Sequence, residues 1–293
     1  MKEIERRSFL KLGAATAAGV ALGAPACASQ ASPTPLRTTG SFDPTAIRLG
    51  VASYSLRHFS RSQAIEMTKA LGVRYINLKS MHLPYETPPT EIAAARREVE
   101  SAGLAIVGGG LITFETDTDE GVRKYFDYAK AAGMPLIVGT CKPGVLSRVE
   151  KFVKQYDIKV AIHNHGPEDE NFPSPYDVLR VVKDMDPRVG LCIDLGHTVR
   201  TGTDVVRAIA DAGPRLLDMH AKDLRDLMVT ESQCVVGEGK IPIPAIFQQL
   251  SAIRYSGYVN LEYEIDENDP LPGMQRSFAY MRGVVAGLAN RLA

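Results

Sequence analysis

The chain has 293 residues, 45% of them hydrophobic, with 34 basic and 34 acidic side chains. That is enough apolar material for one barrel-sized core or two smaller ones, and the charge balance removes any global pull toward a polyanion such as nucleic acid. It contains no Trp, and the sequence shows no low-complexity tract and no repeat of solenoid length.

The first thirty residues differ from the rest. Glu5-Arg-Arg-Ser-Phe-Leu-Lys11 precedes an Ala- and Gly-rich run to Ala24, followed by Pro-Ala-Cys-Ala-Ser. A basic start, a short mildly apolar run and small residues at the end describe a secretory signal rather than a membrane span. The adjacent arginines followed by Phe-Leu-Lys resemble a twin-arginine export signal. Residues 1–28 therefore read as a signal peptide, cleaved near Ala26 or leaving Cys27 as a lipid-anchored N-terminus, the only membrane attachment expected. Residues 29–44, rich in Ser, Thr and Pro, read as a flexible linker. The first thirty residues hold four basic and two acidic side chains, so the remainder carries 30 basic against 32 acidic. Three cysteines remain (Cys141, Cys192 and Cys234), and their odd number and irregular spacing argue against a disulfide framework.

From Ile47 onward, short apolar runs alternate with amphipathic stretches. Strands are expected at Ile47–Ser53, Tyr75–Leu78, Leu104–Val107, Leu136–Gly139, Lys159–His163, Val189–Asp194, Leu216–His220 and Tyr258–Glu262. Helices are expected at Ser62–Leu71, Thr90–Ala102, Asp119–Ala132, Leu146–Gln155, Tyr176–Lys183, Asp204–Ala212, Pro244–Ile253 and from Gln275 onward. Gly72, Gly103, Gly133, Gly213 and Gly257 each follow a helical stretch, where a left-handed cap is needed. Gly108-Gly-Gly110 reads as a tight βα turn. Eight β-then-α units point to a single-domain (β/α)8 TIM barrel over residues 45–293, with a doubly wound open sheet as the alternative.

In such a barrel the active site forms at the C-terminal ends of the strands. Five of the six histidines lie at or just past a proposed strand end. His163, Asp194, His220 and Glu262 each close one of four consecutive strands, and alternation lets each point into the barrel mouth. Imidazoles and carboxylates together suit one divalent cation such as Mn, Co, Zn or Fe, with Mg less suited. His197 lies just beyond the sixth strand, where it can contact substrate or shuttle a proton. Lys222 shares the face of His220 and can hold an anionic oxygen. Glu262, His197 and Lys222 are therefore the catalytic candidates, and His165, His82, Lys79 and Glu264 the candidate substrate contacts. The long stretch Leu224–Val236 is a candidate lid.

These residues resemble the xylose-isomerase-like TIM-barrel superfamily of sugar and sugar-phosphate isomerases and epimerases. The resemblance runs from about Ile47 to the C-terminus. It is carried by Cys192-Ile-Asp-Leu-Gly-His197, Met219-His-Ala-Lys-Asp223, Gly237-Glu-Gly-Lys-Ile241 and Gly257-Tyr-Val-Asn-Leu-Glu-Tyr-Glu264. It implies a metal held by Glu, Asp, His and Glu on strands five to eight. Asp194, His220 and Glu262 match the last three, and His163 stands where the first Glu is usual. That exchange keeps a metal site but removes one of the two carboxylates that move protons in the ketose epimerases.

The resemblance implies a divalent-metal-dependent isomerase or epimerase that acts on an unphosphorylated sugar or keto-sugar through an enediolate. The alternative is elimination or hydration of a 3-keto-glycoside or related keto-sugar, which needs only one base. A non-catalytic sugar-binding envelope protein is the alternative from another class. The expected partner is a small carbohydrate, not nucleic acid, and the expected address is the periplasm or envelope.

Overall fold

A computed structural model describes residues 47–292, with side chains to residue 290; the expected signal peptide, linker and Cys27 anchor lie outside them. Eight parallel strands close into a barrel: β1 (Arg48–Ala52), β2 (Tyr75–Leu78), β3 (Ala105–Phe114), β4 (Leu136–Cys141), β5 (Lys159–His163), β6 (Val189–Asp194), β7 (Leu216–Ala221) and β10 (Tyr258–Leu261). They pair in that order, and β10 closes on β1 with Arg48 opposite Tyr258. Outside run α1 (Arg61–Ala70), α2 (Pro89–Ser101), α3 (Asp119–Ala132), α4 (Leu146–Tyr156), α5 (Pro175–Val182), α7 (Val205–Ala212), α8 (Ile243–Ala252) and α9 (Leu271–Leu292). No helix among the described residues is long and apolar enough to cross a membrane.

Local chemistry starts these helices where the sequence suggests. Ser60 Oγ accepts from Gln63 N–H while the Gln63 side chain accepts from Ser60 N–H, a reciprocal cap on α1. Thr118 and Asp204 cap α3 and α7 in the simpler one-bond form.

The structure corrects the sequence reading in three places. β3 runs through Gly108-Gly-Gly110 to Phe114 instead of turning there. The glycines serve close approach: a Cβ on Gly110, which has φ +126°, would fall 1.9 Å from the Val138 carbonyl oxygen of β4. At the end of α8 the left-handed residue is Arg254, not Gly257; a Cβ on Gly257 would instead strike the Tyr255 hydroxyl at 2.2 Å. Two short elements went unseen: α6 (Leu195–Arg200), directly after β6, and a hairpin of β8 (Asp223–Leu224) with β9 (Gln233–Cys234) inside the proposed lid stretch.

The main core lies between strands and helices. Inside the barrel, Leu136, Val138, Ala161 and Cys192 form a small apolar cluster. Three further inward positions are polar. Asn77, Asp218 and Asn260 sit on β2, β7 and β10, each two residues before Lys79, His220 and Glu262, so period-2 alternation stacks one polar layer under another.

Candidate active site at the barrel mouth

The upper layer converges. His163 Nε2 lies 3.1 Å from His220 Nδ1 and 3.7 Å from Asp194 Oδ2. His220 Nδ1 lies 3.8 Å from Asp194 Oδ2 and 3.1 Å from Glu262 Oε2. One ligand-type atom from each of the four residues falls within 4.8 Å of the other three. All four side chains are buried.

Two lysines enter the same cluster. Lys79 Nζ lies 2.9 Å from Glu262 Oε1. Lys222 Nζ lies 3.1 Å from both Asp194 Oδ2 and Glu262 Oε2, and it also pairs with Glu264. Burial pushes the Asp194 carboxyl up, but Lys222, His197 and His163 together hold it well below the usual carboxylate range. Glu262 behaves alike: burial raises it, and His220, Lys79 and Lys222 outweigh burial. Burial lowers the Lys222 ammonium, but Asp194, Glu262 and Glu264 carry it well above its ordinary value. His220 is pushed down to about 4, chiefly by burial, so its ring is neutral near pH 7.

The donor set fits a divalent cation. Two imidazole nitrogens and two ionised carboxylates face one focus, a mix that suits Mn, Co, Zn or Fe. Asp194 Oδ2 is buried and makes no directed hydrogen bond among the described residues; it faces the Lys222 ammonium at 3.1 Å, a cation whose place a metal ion would share. Its companion Oδ1 is already used, accepting from the His197 N–H at 2.8 Å and so capping α6.

Around this focus, neighbouring side chains lock the strand ends. Asn164 Oδ1 accepts from the Asp194 N–H, and Asn164 Nδ2 donates to Thr198 Oγ1, whose hydroxyl donates to the Asp194 carbonyl. β5 and α6 are thereby tied through one residue, the one between the two histidines of His163-Asn-His165. Gln233 of β9 donates to the Glu262 carbonyl and accepts from the Glu264 N–H, pinning the exit of β10 to the hairpin. Asp223 accepts from the N–H groups of Gly237, Gly239 and Ile241, which fixes the turn at Gly237-Glu-Gly239.

A cavity of about 490 Å³ opens over the cluster. His163, His165, His197, His220, Lys79, Lys222, Glu262 and Glu264 line it, whereas Asp194 is fully buried and does not. His165 is the most open of the four imidazoles and has no side-chain hydrogen bond among the described residues. Desolvation by its surroundings lowers its pKa. His197 is pushed down to about 3, again chiefly by burial, and its Nδ1 lies 3.2 Å from Arg200 Nη1. A guanidinium has only donors, so Nδ1 must accept, and the neutral ring carries its proton on Nε2.

His82 lies elsewhere. Its Nε2 donates toward the Leu56 and Phe59 carbonyls, and its Nδ1 takes the Ser53 hydroxyl at 2.9 Å. Fully buried, it ties the β2–α2 loop to the end of β1 and does not line the cavity, in contrast to the substrate contact expected from sequence. Arg200, Asn164, Tyr54, Met81, Leu111 and Thr230 belong to the site or its frame and were not singled out. The spacing Asp194-x-x-His197-x-x-Arg200, three residues apart on a helix start, is a signal that could have found Arg200.

A family model described as the xylose isomerase-like TIM barrel matches residues 55–284. A second, the twin-arginine translocation pathway signal sequence, matches residues 3–23. Inosose dehydratase of Mesomycoplasma hyopneumoniae is 25% identical over 160 residues, covering 48% of this chain and 53% of the relative. Inosose dehydratase of Clostridium beijerinckii is 23% identical over 240 residues, covering 73% and 76%. The chain spans about half the length of the first curated relatives it matches. Among solved structures, an L-ribulose 3-epimerase superposes with a TM-score of 0.68 at 17% identity, covering 84% of this chain and 96% of that one. At that identity the likeness speaks to the fold.

Proposed function

The chain belongs to the xylose isomerase-like TIM-barrel family, and we propose that it is a carbon–oxygen lyase of that family, a dehydratase-type enzyme acting on an unphosphorylated keto-sugar or cyclic keto-polyol. The observation that carries this reading is His163. It stands where the resemblance implies a second carboxylate, and its Nε2 is turned toward the ligand focus. Epimerisation removes a proton from one face and returns it on the other, which calls for two bases. The remaining ionisable groups of the cavity are His165 and His197, side by side with ring centroids 4.3 Å apart, and Lys79 and Lys222, both tied to carboxylates. Elimination needs one base. The inosose dehydratases among the relatives agree with that chemistry.

His163, Asp194, His220 and Glu262 are the residues that would hold a divalent cation. Such an ion supplies Lewis-acid polarisation of a carbonyl and its neighbouring hydroxyl. Glu262 is thereby a ligand, and its pairing with His220, Lys79 and Lys222 leaves it little proton affinity, so the role of base passes to His165. This neutral imidazole takes the proton from the carbon next to the carbonyl. The bond from the adjacent carbon to its hydroxyl breaks, and the hydroxyl leaves as water with the proton His165 has gained. His197 donates through Nε2–H to a substrate oxygen, and the Lys222 ammonium stabilises charge that develops there.

The twin-arginine signal supports a division into a signal at 1–28, a linker at 29–44 and a catalytic domain from 45 onward. It also supports a periplasmic or envelope address, where unphosphorylated sugars are the available substrates.

The test pairs metal analysis with turnover. Elemental mass spectrometry of protein lacking residues 1–40 is expected to find about one Mn, Co, Zn or Fe per chain, and Asp194→Ala to lose it. With that metal, keto-sugars incubated in D2O are expected to give an unsaturated product by NMR, and His165→Ala to lower its rate by about 100-fold or more. An epimer that carries solvent deuterium, with no unsaturated product, would return the reading to isomerisation. Absence of both metal and deuterium uptake would move it to a sugar-binding protein.

A further inference from the structure

Beneath the four strand-end residues the barrel holds a second donor set. Cys192 of β6 lies two residues before Asp194, so strand alternation gives it the same inward face one layer deeper. It stands opposite His163 of β5 in the strand register. One ligand-type atom from each of His163, Cys192 and His220 falls within 4.8 Å of the other two. That span is close to the reach of two metal–ligand bonds of about 2.0–2.3 Å each. All three side chains are buried, and the cysteine is unbridged. His163 Nδ1 and His220 Nε2 are buried without a hydrogen-bond partner among the described residues, so each ring keeps a nitrogen that no protein group occupies.

The two sets differ in softness and in charge. The upper one adds two carboxylates to the imidazoles, and Lys79 and Lys222 already hold those carboxylates. The lower one adds a thiol in place of both. Cys192 packs with Leu136, Val138 and Ala161, an apolar wall against which an extra charge is costly to bury. Two imidazoles with one thiolate form a soft set of the kind that takes Cu(I). When a monovalent ion binds, the S–H bond gives way to a sulfur–metal bond, the proton leaves to solvent, and the buried charge does not change. The lysine–carboxylate pairs of the upper layer then stay as they are. His163 and His220 line the open cavity, which gives the ion a path from solvent.

We propose that His163, Cys192 and His220 form a site for a soft monovalent cation, Cu(I), distinct from the divalent set but sharing its two imidazoles. The two ions therefore exclude each other, and Cu(I) blocks the upper set. The Cu(I) site stands apart from the divalent-metal reading above; only the competition rests on it.

The experiment titrates the full chain, kept anaerobic, against Cu(I) held by a chromogenic chelator. Wild type is expected to withdraw about one Cu(I) per chain, and X-ray absorption to find sulfur and nitrogen at the copper. Cys192→Ser and Cys192→Ala are each expected to lower Cu(I) affinity by about 100-fold, the upper end of the cost of losing even an outer partner of a metal site. Cys27→Ser, Cys141→Ser and Cys234→Ser are expected to keep it. Asp194→Ala, which removes an upper ligand, is expected to bind Cu(I) as wild type does while failing to take Zn or Mn; thermal melts show whether each variant is folded. Full Cu(I) affinity in a folded Cys192 variant overturns the proposal, and so does copper without sulfur in wild type. A folded Asp194→Ala that loses Cu(I) as fully as the Cys192 variants also overturns it, by placing the ion in the upper set. Wild type that takes Zn or Mn but no Cu(I) overturns the proposal and leaves the divalent reading intact. Wild type that takes one Cu(I) through Cys192 but neither Zn nor Mn supports the proposal and overturns the divalent reading.

Discussion

Two buried acids, one residue layer apart on neighbouring strands, have opposite fates. Asp194 at the end of β6 and Asp218 in the middle of β7 are 0% and 2% exposed. Asp194 faces the Lys222 ammonium and two imidazoles, and its carboxyl is held far below the ordinary range despite burial. Asp218 is held by Asn260 Nδ2 at 2.9 Å and Asn77 Nδ2 at 3.4 Å, and desolvation pushes it up to about 8. Burial acts on both in the same direction. What differs is a full positive charge within 3.1 Å, which neutral amides do not replace. The barrel interior is thus split into an ionised upper layer suited to a cation and a lower layer whose acid is protonated near neutral pH.

The strongest way to break this contrast is to remove the charge that makes it. Lys222→Met keeps the length of the side chain and leaves Asp194 and Glu262 without their shared ammonium. Metal-free protein is expected to lose about 3–5 kcal/mol of stability, as buried pairs do when one partner is removed, measured by urea denaturation at pH 7. The same variant is expected to bind Zn or Mn more tightly by calorimetry, because Lys222 Nζ no longer competes for Asp194 Oδ2 and Glu262 Oε2. Unchanged stability together with weaker metal binding would show that Lys222 is not their counter-charge.

The lower layer offers the reverse experiment. Asp218 has a folded-state pKa above its unfolded value, so the folded chain holds a proton that the unfolded chain gives up above about pH 4. Wild-type stability therefore falls as pH rises from about 4 to 8 by up to about 1.4 kcal/mol per unit from this group. Asp218→Asn mimics the protonated acid and removes that slope. Its advantage over wild type is expected to grow across the window and to level off above pH 8. Parallel stability curves for the two proteins would show that Asp218 is ionised when folded and that the two layers do not differ.

The upper layer was legible in the sequence and the lower one was not, for a physical reason. Alternation of strands and helices gave the barrel, and the barrel dictates that strand ends meet, so His163, Asp194, His220 and Glu262 could be gathered from spacing alone. Asp218 sits inside an apolar run, where a lone acid looks like an outward-facing residue until its amide partners from β2 and β10 are known. Arg200 and Asn164 depend on α6, six residues long and too short to show a period. Gly108-Gly-Gly110 carries a turn composition, but the approach of β4 decides its conformation. His82 was drawn to the site by its nearness to the end of β2, whereas its loop folds back against β1.

The smallest expected effect sharpens the contrast from within the upper layer. Lys222 pairs with three carboxylates, and the third, Glu264, is half-buried at the rim, with its side chain 35% exposed. Water screens that pair, and exposed pairs contribute about 0–1 kcal/mol. Glu264→Gln keeps the shape and the backbone bond to Gln233, so metal-free stability is expected to change by less than about 1 kcal/mol. The metal stoichiometry is expected to hold, because Glu264 is not among the four converging residues. If charge at the rim mattered as much as charge in the interior, this variant would match Lys222→Met in urea denaturation. A small loss beside a large one would assign the ionised state of the upper layer to Asp194 and Glu262 acting on Lys222 out of reach of solvent.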